Sequence, residues 1–203
     1  MSRIFYHSDW HFNHEFVAGT RGYASSQEHD DAIIDAINAT ATKRDHVWVM
    51  GDVFMGSVTE GLKQIERIRA VKHLVLGNHD AAHPMHRGSH SKLRRFMDVF
   101  ESVSLHEQHK IAGQQVMLSH FPYSGDHYDT DRYEQWRLRD EGLWLINGHV
   151  HHAWAVNGRQ INVGVDHHPA PVPLAHIADY IAGPRESRDL DAREAQAREA
   201  VEQ

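Results

Sequence analysis

Cysteine is absent from this chain of 203 residues. That excludes disulfides, cysteine-based zinc ribbons and a thiol nucleophile, and it leaves the redox compartment unreported. No apolar run approaches the roughly 20 residues needed to span a bilayer, so a membrane helix is not expected. The opening Met1-Ser2-Arg3-Ile4-Phe5-Tyr6 lacks the apolar core of a signal peptide, and a cytoplasmic protein is expected. Basic charge is in deficit. With 21 Lys and Arg against 28 Asp and Glu, the net charge of −7 argues against a broad footprint for long nucleic acid. It leaves room for a small phosphate ester held through metal ions. General disorder is excluded by 40% apolar and 24% charged residues. Histidine is in excess, at 20 residues, and it is the commonest metal ligand and the proton carrier of neutral pH.

Short β-type runs alternate with amphipathic stretches. Strands are expected at Ile4-Phe5-Tyr6, Val47 to Met50 and His73 to Leu76. Between them, Ala32, Ile33, Ala36 and Ile37 define a helix over about 27–42, and Val58, Leu62, Ile65 and Ile68 a second. Leu93, Phe96, Met97 and Phe100 repeat at helical spacing, with Ser91 as the expected N-cap. This order is the βαβ pattern of a mixed or parallel sheet. Beyond it, residues 99–119 predict strands turning near Ala112-Gly113, and Leu143 to Ile146 another strand. Asn157-Gly158 supplies the positive φ angles of a tight hairpin, and a helix follows from Leu174 to Ile181. One domain over 1–183 is expected. Residues 184–203 form a charged C-terminal tail, either solvated or helical through Asp189/Arg193 and Glu194/Arg198. The helical form would pack Leu190, Ala197 and Val201 on a partner subunit, a homodimer.

Polar clusters follow the apolar runs. They are Asp9-Trp10-His11, Gly51-Asp52, Gly77-Asn78-His79-Asp80, His120, and Gly148-His149-Val150-His151. Ligand sites of open α/β sheets form beyond the carboxyl ends of strands, so parallel strands would bring these clusters to one edge. Asp-x-His and His-x-His place two side chains on one side of an extended segment. The glycines permit sharp turns and close backbone approach. Seven nitrogen and oxygen donors result: Asp9, His11, Asp52, Asn78, His120, His149 and His151. They suit manganese, iron or zinc. One metal takes about four to six ligands, so seven, with a carboxylate able to bridge, suit two metals, and a pair about 3.5–4 Å apart clamps in-line displacement at phosphorus.

In this arrangement the chain resembles the calcineurin-like metallophosphoesterase superfamily, whose blocks stand as Ser8-Asp9-Trp10-His11, Gly51-Asp52, Gly77-Asn78-His79-Asp80, Ser119-His120 and Gly148-His149-Val150-His151. His120-Phe121-Pro122-Tyr123 and Asn162-Val163-Gly164-Val165-Asp166 are similar to the small single-domain bacterial and phage members, which usually have glycine in place of Asn13 and often in place of His152. The resemblance covers residues 4 to about 166. It implies an α/β fold, an α+β sandwich of two mixed sheets packed face to face and flanked by helices, with a dinuclear site at the strand ends. It implies that Asp9, His11 and His151 bind one metal, that Asn78, His120 and His149 bind the other, and that Asp52 bridges. It places His79 against the phosphate, and the metals are two divalent ions, manganese first, with iron, zinc or nickel as alternatives. The implied reaction is phosphoester hydrolysis by a metal-bridging hydroxide, with His79 stabilising the transition state or protonating the leaving group. Asp80 either orients a histidine or stabilises its own turn.

Within that class the expected substrate is a small phosphodiester, a cyclic nucleotide first, since no large capping insertion is present. A phosphomonoesterase is the alternative, with Arg21, Arg87 or Arg137 for the terminal phosphate. A non-catalytic scaffold is disfavoured by the complete ligand set. A Ser/Thr protein phosphatase would carry Asp-Arg-Gly where this chain has Val53-Phe54-Met55-Gly56-Ser57. His14, His127 and His152 are candidate substrate contacts. A solvated loop is expected for His83, His86 and His90. Trp10, Phe12, Phe54, Tyr123 and Trp154 are expected in the core ahead of base stacking.

Overall fold

Four parallel strands, β1 (Ile4–His7), β2 (His46–Val49), β3 (Val71–Val75) and β4 (Ser102–Ser104), form the body of one sheet. β10 (Val172–Pro173) joins its edge antiparallel to β1. The second sheet has the order β5-β6-β7-β9-β8, from β5 (His106–Ile111), β6 (Gln114–Ser119), β7 (Trp144–Asn147), β8 (Val156–Asn157) and β9 (Gln160–Asn162). In it β6, β7 and β9 are parallel. The computed structural model describes residues 2–183. The tail over 184–203 lies outside the described residues.

Period-two alternation divides the core. Phe5, Val47, Val49 and Leu74 point to the helical layer, where they meet Ile33, Ile37, Leu62, Ile65 and Phe96 from α2 (Ser26–Thr40), α3 (Val58–Glu66) and α4 (Ser89–Met97). Tyr6 and Val75 point the other way, onto Val116, Leu118, Ile146 and Ile161 of the second sheet. Ile177 and Ile181 of α5 (Leu174–Ala182) extend this inter-sheet core. Each such side chain contributes about 1.5–3 kcal/mol on burial. The protein is therefore a two-sheet α+β sandwich with α2, α3 and α4 on one flank.

Local details differ from expectation. α4 starts at Gly88, in the left-handed conformation, and Ser91 instead donates its hydroxyl to the Gly88 carbonyl. Only Phe96 of α4 is buried, while Leu93 and Met97 are exposed. The β8–β9 turn is Gly158-Arg159, because Asn157 pairs with Gln160; only Gly158 needs positive φ, at 59°. Ala112 and Gly113 do form the two-residue β5–β6 turn, with φ of 49° and 81°. A short helix, α1 (Glu15–Thr20), is too brief to show periodicity and was not anticipated.

Candidate metal centre

The parallel strands deliver the polar clusters to one edge. The β1 loop lies along the β2 loop, since Asp9 N–H donates to the Gly51 carbonyl at 3.1 Å and His11 N–H to that of Asp52 at 2.9 Å. Gly148 N–H reaches the His120 carbonyl at 3.1 Å, which ties the two loops of the second sheet together. His149 N–H joins the sheets by donating to both Asp9 carboxylate oxygens at 3.2 Å.

The expected extended geometry of Asp-x-His and His-x-His is not what aligns these ligands. Asp9, His11, His149 and His151 are all left-handed, with φ of 58°, 49°, 72° and 46°, and Asp52 joins them at 55°. Each costs of order 1–3 kcal/mol unless its surroundings hold it, and such residues cluster at functional sites. Left-handed turns aim the polar residues into the cleft while Trp10 and Val150 between them stay buried. Close approach demands Gly51 and Gly148. A Cβ on Gly51 would stand 2.5 Å from the Gly77 nitrogen, and one on Gly148 2.5 Å from an Asp9 carboxylate oxygen. Gly51, at φ 79°, also makes the sharp turn, which Gly148 does not.

All seven predicted donors are brought together. His11 is buried, and neither ring nitrogen has a hydrogen-bond partner. Its Nε2 stands 3.9 Å from Asp9 Oδ1 and 3.8 Å from Asp52 Oδ2. An unpartnered imidazole between two buried carboxylates is costly by itself and fits a cation. His120 points Nδ1 at the Met50 carbonyl, 2.6 Å away, leaving Nε2 3.0 Å from Asn78 Oδ1 and 3.4 Å from Asp52 Oδ2. His151 points Nδ1 at Asp166, 2.9 Å away. Fixing one ring nitrogen frees the other as a ligand, the usual arrangement in metal sites. The donor atoms of Asp9, His11 and His151 lie within 4.8 Å of one another, as do those of Asp9, Asp52 and His120. These buried His and Asp groups could bind a metal ion. Asp9 stands in both groups, whereas the resemblance assigned it to one metal alone. His149 faces Asn78 through Nδ1 at 3.0 Å but turns Nε2 to Asp126 at 3.1 Å.

The electrostatics carry the mark of crowded like charges. Burial, then the Asp9 charge, pushes the Asp52 carboxyl well above the usual carboxylate range. Burial, then His151, holds His11 far below the usual imidazole value. Burial also opposes protonation of His151, but its hydrogen bond to Asp166 and the charge of Asp9 outweigh it and raise the group. A cation would reverse the Asp9–Asp52 conflict.

His79 is half-exposed in the cleft, with Nε2 3.9 Å from Asp52 Oδ2, and its backbone N–H donates to Asp52 Oδ1 at 2.8 Å. Burial, then His120, lowers it to about 4. Asp80 orients no histidine. Its carboxylate accepts from the backbone N–H groups of Asp52, Val53 and Gly77, pinning two ligand loops. The expected solvated histidine stretch is partly structural: His83 is buried against Phe121 and Trp136, and His86 Nε2 reaches the Asn78 carbonyl at 2.7 Å. Trp10, Phe12 and Phe54 are buried core residues.

Five of the seven donors, His11, Asp52, Asn78, His149 and His151, line a cleft of about 460 Å³. His14, His127 and His152, the candidate substrate contacts, line it, and so does Arg21. Arg87 and Arg137 do not line it. Arg137 braces the 120–143 loop, through Asp126, Asp131 and the Gly125 carbonyl. Sequence reasoning missed Asp126, Arg132 and the pairing of Arg21 with Asp166. Arg21 holds both Asp166 oxygens at 2.9 Å and donates to the Asp9 carbonyl. Such pairs across 145 residues leave no local spacing to find.

No protein-family model matches the chain. It is 40% identical over 182 residues to the Gene 66 protein of Mycobacterium phage L5, covering 82% of this chain and 87% of that protein. It is 35% identical over 193 residues to the Gene 66 protein of Mycobacterium phage D29, covering 89% and 96%. Among solved structures, the protein of unknown function AQ665 from Aquifex aeolicus superposes with a TM-score of 0.68 over 87% of this chain and 98% of that one. At 22% identity this is a likeness of fold.

Proposed function

This chain belongs to the family of the mycobacteriophage Gene 66 proteins, and from the site it carries we propose that it is a dinuclear metal-dependent phosphoesterase of the calcineurin-like type, acting on small phosphodiesters. The observation that carries this reading is the convergence of seven nitrogen and oxygen donors, among them a buried His11 with neither ring nitrogen partnered. Asp9, His11, His151, Asn78, His120 and His149 would hold two divalent ions, manganese first, with Asp52 between them. When bound, these ions would supply Lewis-acid activation of a water nucleophile and neutralise phosphoryl charge.

The chain's own residues do the rest. Asp166 and the Met50 carbonyl orient His151 and His120. Asp80 holds the Asp52 loop in place through three backbone donors. His79, neutral because burial depresses it, donates a hydrogen bond from its ring N–H to the charge building on the departing oxygen, whose proton comes from solvent. A positioned donor of this kind is worth about 10²–10³-fold in rate.

A diester is favoured over a monoester by the two arginines of the cleft. Arg21 is committed to Asp166 and Arg132 to Asp126. Neither positive charge is left uncompensated for the second negative charge of a terminal phosphate. The monoesterase alternative rests on Arg132, whose side chain remains 33% exposed. A cyclic nucleotide is the substrate that fits a small cleft in a protein of net charge −7. Among the described residues no helix is long and apolar enough to cross a membrane.

The test is hydrolysis of a chromogenic phosphodiester beside its monoester, with manganese and with chelator. Manganese-dependent turnover favouring the diester is expected. Preference for the monoester would make the protein a phosphatase, and absence of both activities in metal-loaded protein would overturn the enzymatic reading.

A further inference from the structure

Among the described residues, the two most exposed large hydrophobic side chains are Phe16, at 75%, and Tyr128, at 59%. Both line the cleft above the candidate metal centre. They come from separate elements, Phe16 from α1 and Tyr128 from the 120–143 loop. Apolar rings left in water at the rim of a polar cleft are a cost to the free protein and mark a surface made to be covered.

The Tyr128 ring has a built support. The Arg132 guanidinium lies over Tyr128, 4.1 Å from its centroid. Arg132 is fixed in turn by Asp126, at 2.9 Å from Oδ1. On the other side Phe16 sits beside His14, with ring centroids 6.4 Å apart, and α1 is anchored by the buried Ala18 and by Arg21 just past its end. A planar guanidinium on a tyrosine, with a free phenyl from another wall, is a surface for a flat π-system. Aromatic side chains accept any base by stacking, without reading its hydrogen-bonding edge. The cleft, at about 460 Å³, falls in the range of about 300–1,000 Å³ typical of small-molecule sites.

We propose that Phe16 and Tyr128 are the specificity-determining residues of this site, stacking on the nucleobase of a mononucleotide ester whose phosphate lies on the metal-binding floor. The inference rests on the phosphoester reading and deepens it. It implies that the protein discriminates nucleoside esters from base-free ones but discriminates poorly among bases.

The experiment compares an adenosine cyclic phosphate with the base-free ribose cyclic phosphate, using the full chain with manganese. Wild type is expected to prefer the nucleoside ester in kcat/KM. Phe16→Ala and Tyr128→Ala should each lower that preference by about tenfold, the usual weight of one base–aromatic stack. Phe16→Tyr and Tyr128→Phe, which keep the ring, should retain it. Alanine variants with the wild-type preference, or with equal losses on both substrates, would overturn the clamp. Calorimetric binding of adenosine monophosphate and of ribose 5-phosphate separates this failure from failure of the enzymatic reading. If wild type hydrolyses neither ester, a tenfold weaker hold on adenosine monophosphate alone in the alanine variants still supports the clamp. Unchanged affinity there overturns it. An alternative occupant, a second copy of the chain, predicts a wild-type dimer that Phe16→Ala dissociates with the nucleoside preference intact, and that outcome also overturns the proposal.

Discussion

The Asp126 carboxylate reaches His149 across 23 residues of chain, Oδ2 lying 3.1 Å from Nε2. The same carboxylate accepts from the backbone and guanidinium of Arg132 and from Arg137, and its side chain is fully buried. One residue thus aligns a histidine of the candidate metal centre and anchors the loop that forms one wall of the cleft. Burial would raise Asp126, but its hydrogen bonds to Arg132 together with the charge and hydrogen bond of His149 outweigh that and hold it well below the usual carboxylate range.

Asp126→Ala should therefore loosen the loop and misalign His149 together. Losing the charged hydrogen bonds should cost about 2 kcal/mol of stability. Urea unfolding reads that loss, and limited proteolysis within residues 127–142 should accelerate. A variant with wild-type stability and protease resistance would show that the loop is held by other contacts.

Two further substitutions separate metal binding from chemistry. Asp52→Ala removes the carboxylate that lies 3.8 Å from His11 and 3.4 Å from His120, so at least one metal equivalent and turnover should disappear. His79→Ala should keep the full metal load and slow turnover by about 10²–10³-fold, the range for a lost hydrogen-bond donor to developing negative charge. Elemental analysis of the purified variants, beside manganese-dependent rates, decides the matter. Full metal content in Asp52→Ala would contradict the bridging position.

Gly61→Ala tests the helical layer. In the interior of a helix this change normally stabilises by about 1 kcal/mol. Here the sign should reverse, because an added Cβ would meet the Phe54 ring, which is itself buried against Phe96. Overpacking of this kind costs about 1–3 kcal/mol. A urea midpoint above that of wild type would show that Phe54 has room to move.

Acid sensitivity should report the first strand's anchor. Asp45 accepts from Arg3 and Thr42 through backbone and side-chain donors. The Arg3 hydrogen bond, followed by those of the Thr42 and Arg3 backbones, holds its carboxyl below the ordinary value. A depressed carboxylate contributes stability that is complete above the unfolded-state value of about 4 and is lost as pH falls below it. Thermal unfolding of Asp45→Asn should lie below wild type at neutral pH and converge on it in acid. Parallel profiles for the two proteins would mean that Asp45 does not carry the acid dependence.

The sequence alone determined most of the strands, though not β10, the helices α2, α3 and α5, and the seven candidate donors, because each rests on local information. Period-two and period-3.6 patterns record which face is buried, and polar residues immediately after apolar runs record where strands end. Ile4 to Tyr6 followed by Asp9 and His11 is legible in this way. So is Ala112-Gly113, where a turn needs two positive φ angles. Tertiary structure decided the rest. Left-handed backbones at Asp9, His11, His149 and His151, rather than extended ones, aim the ligands, because long-range hydrogen bonds lock them, from the β2 loop backbone at Asp9 and His11 and from the Asp9 and Asn162 side chains at His149 and His151. The placing of Arg21 on Asp166, of Asp126 on His149, and of Phe16 and Tyr128 on one cleft follows only from packing two sheets and a loop against each other. Pairings of this kind join residues far apart in the chain, and their energies depend on burial and geometry that no short segment contains.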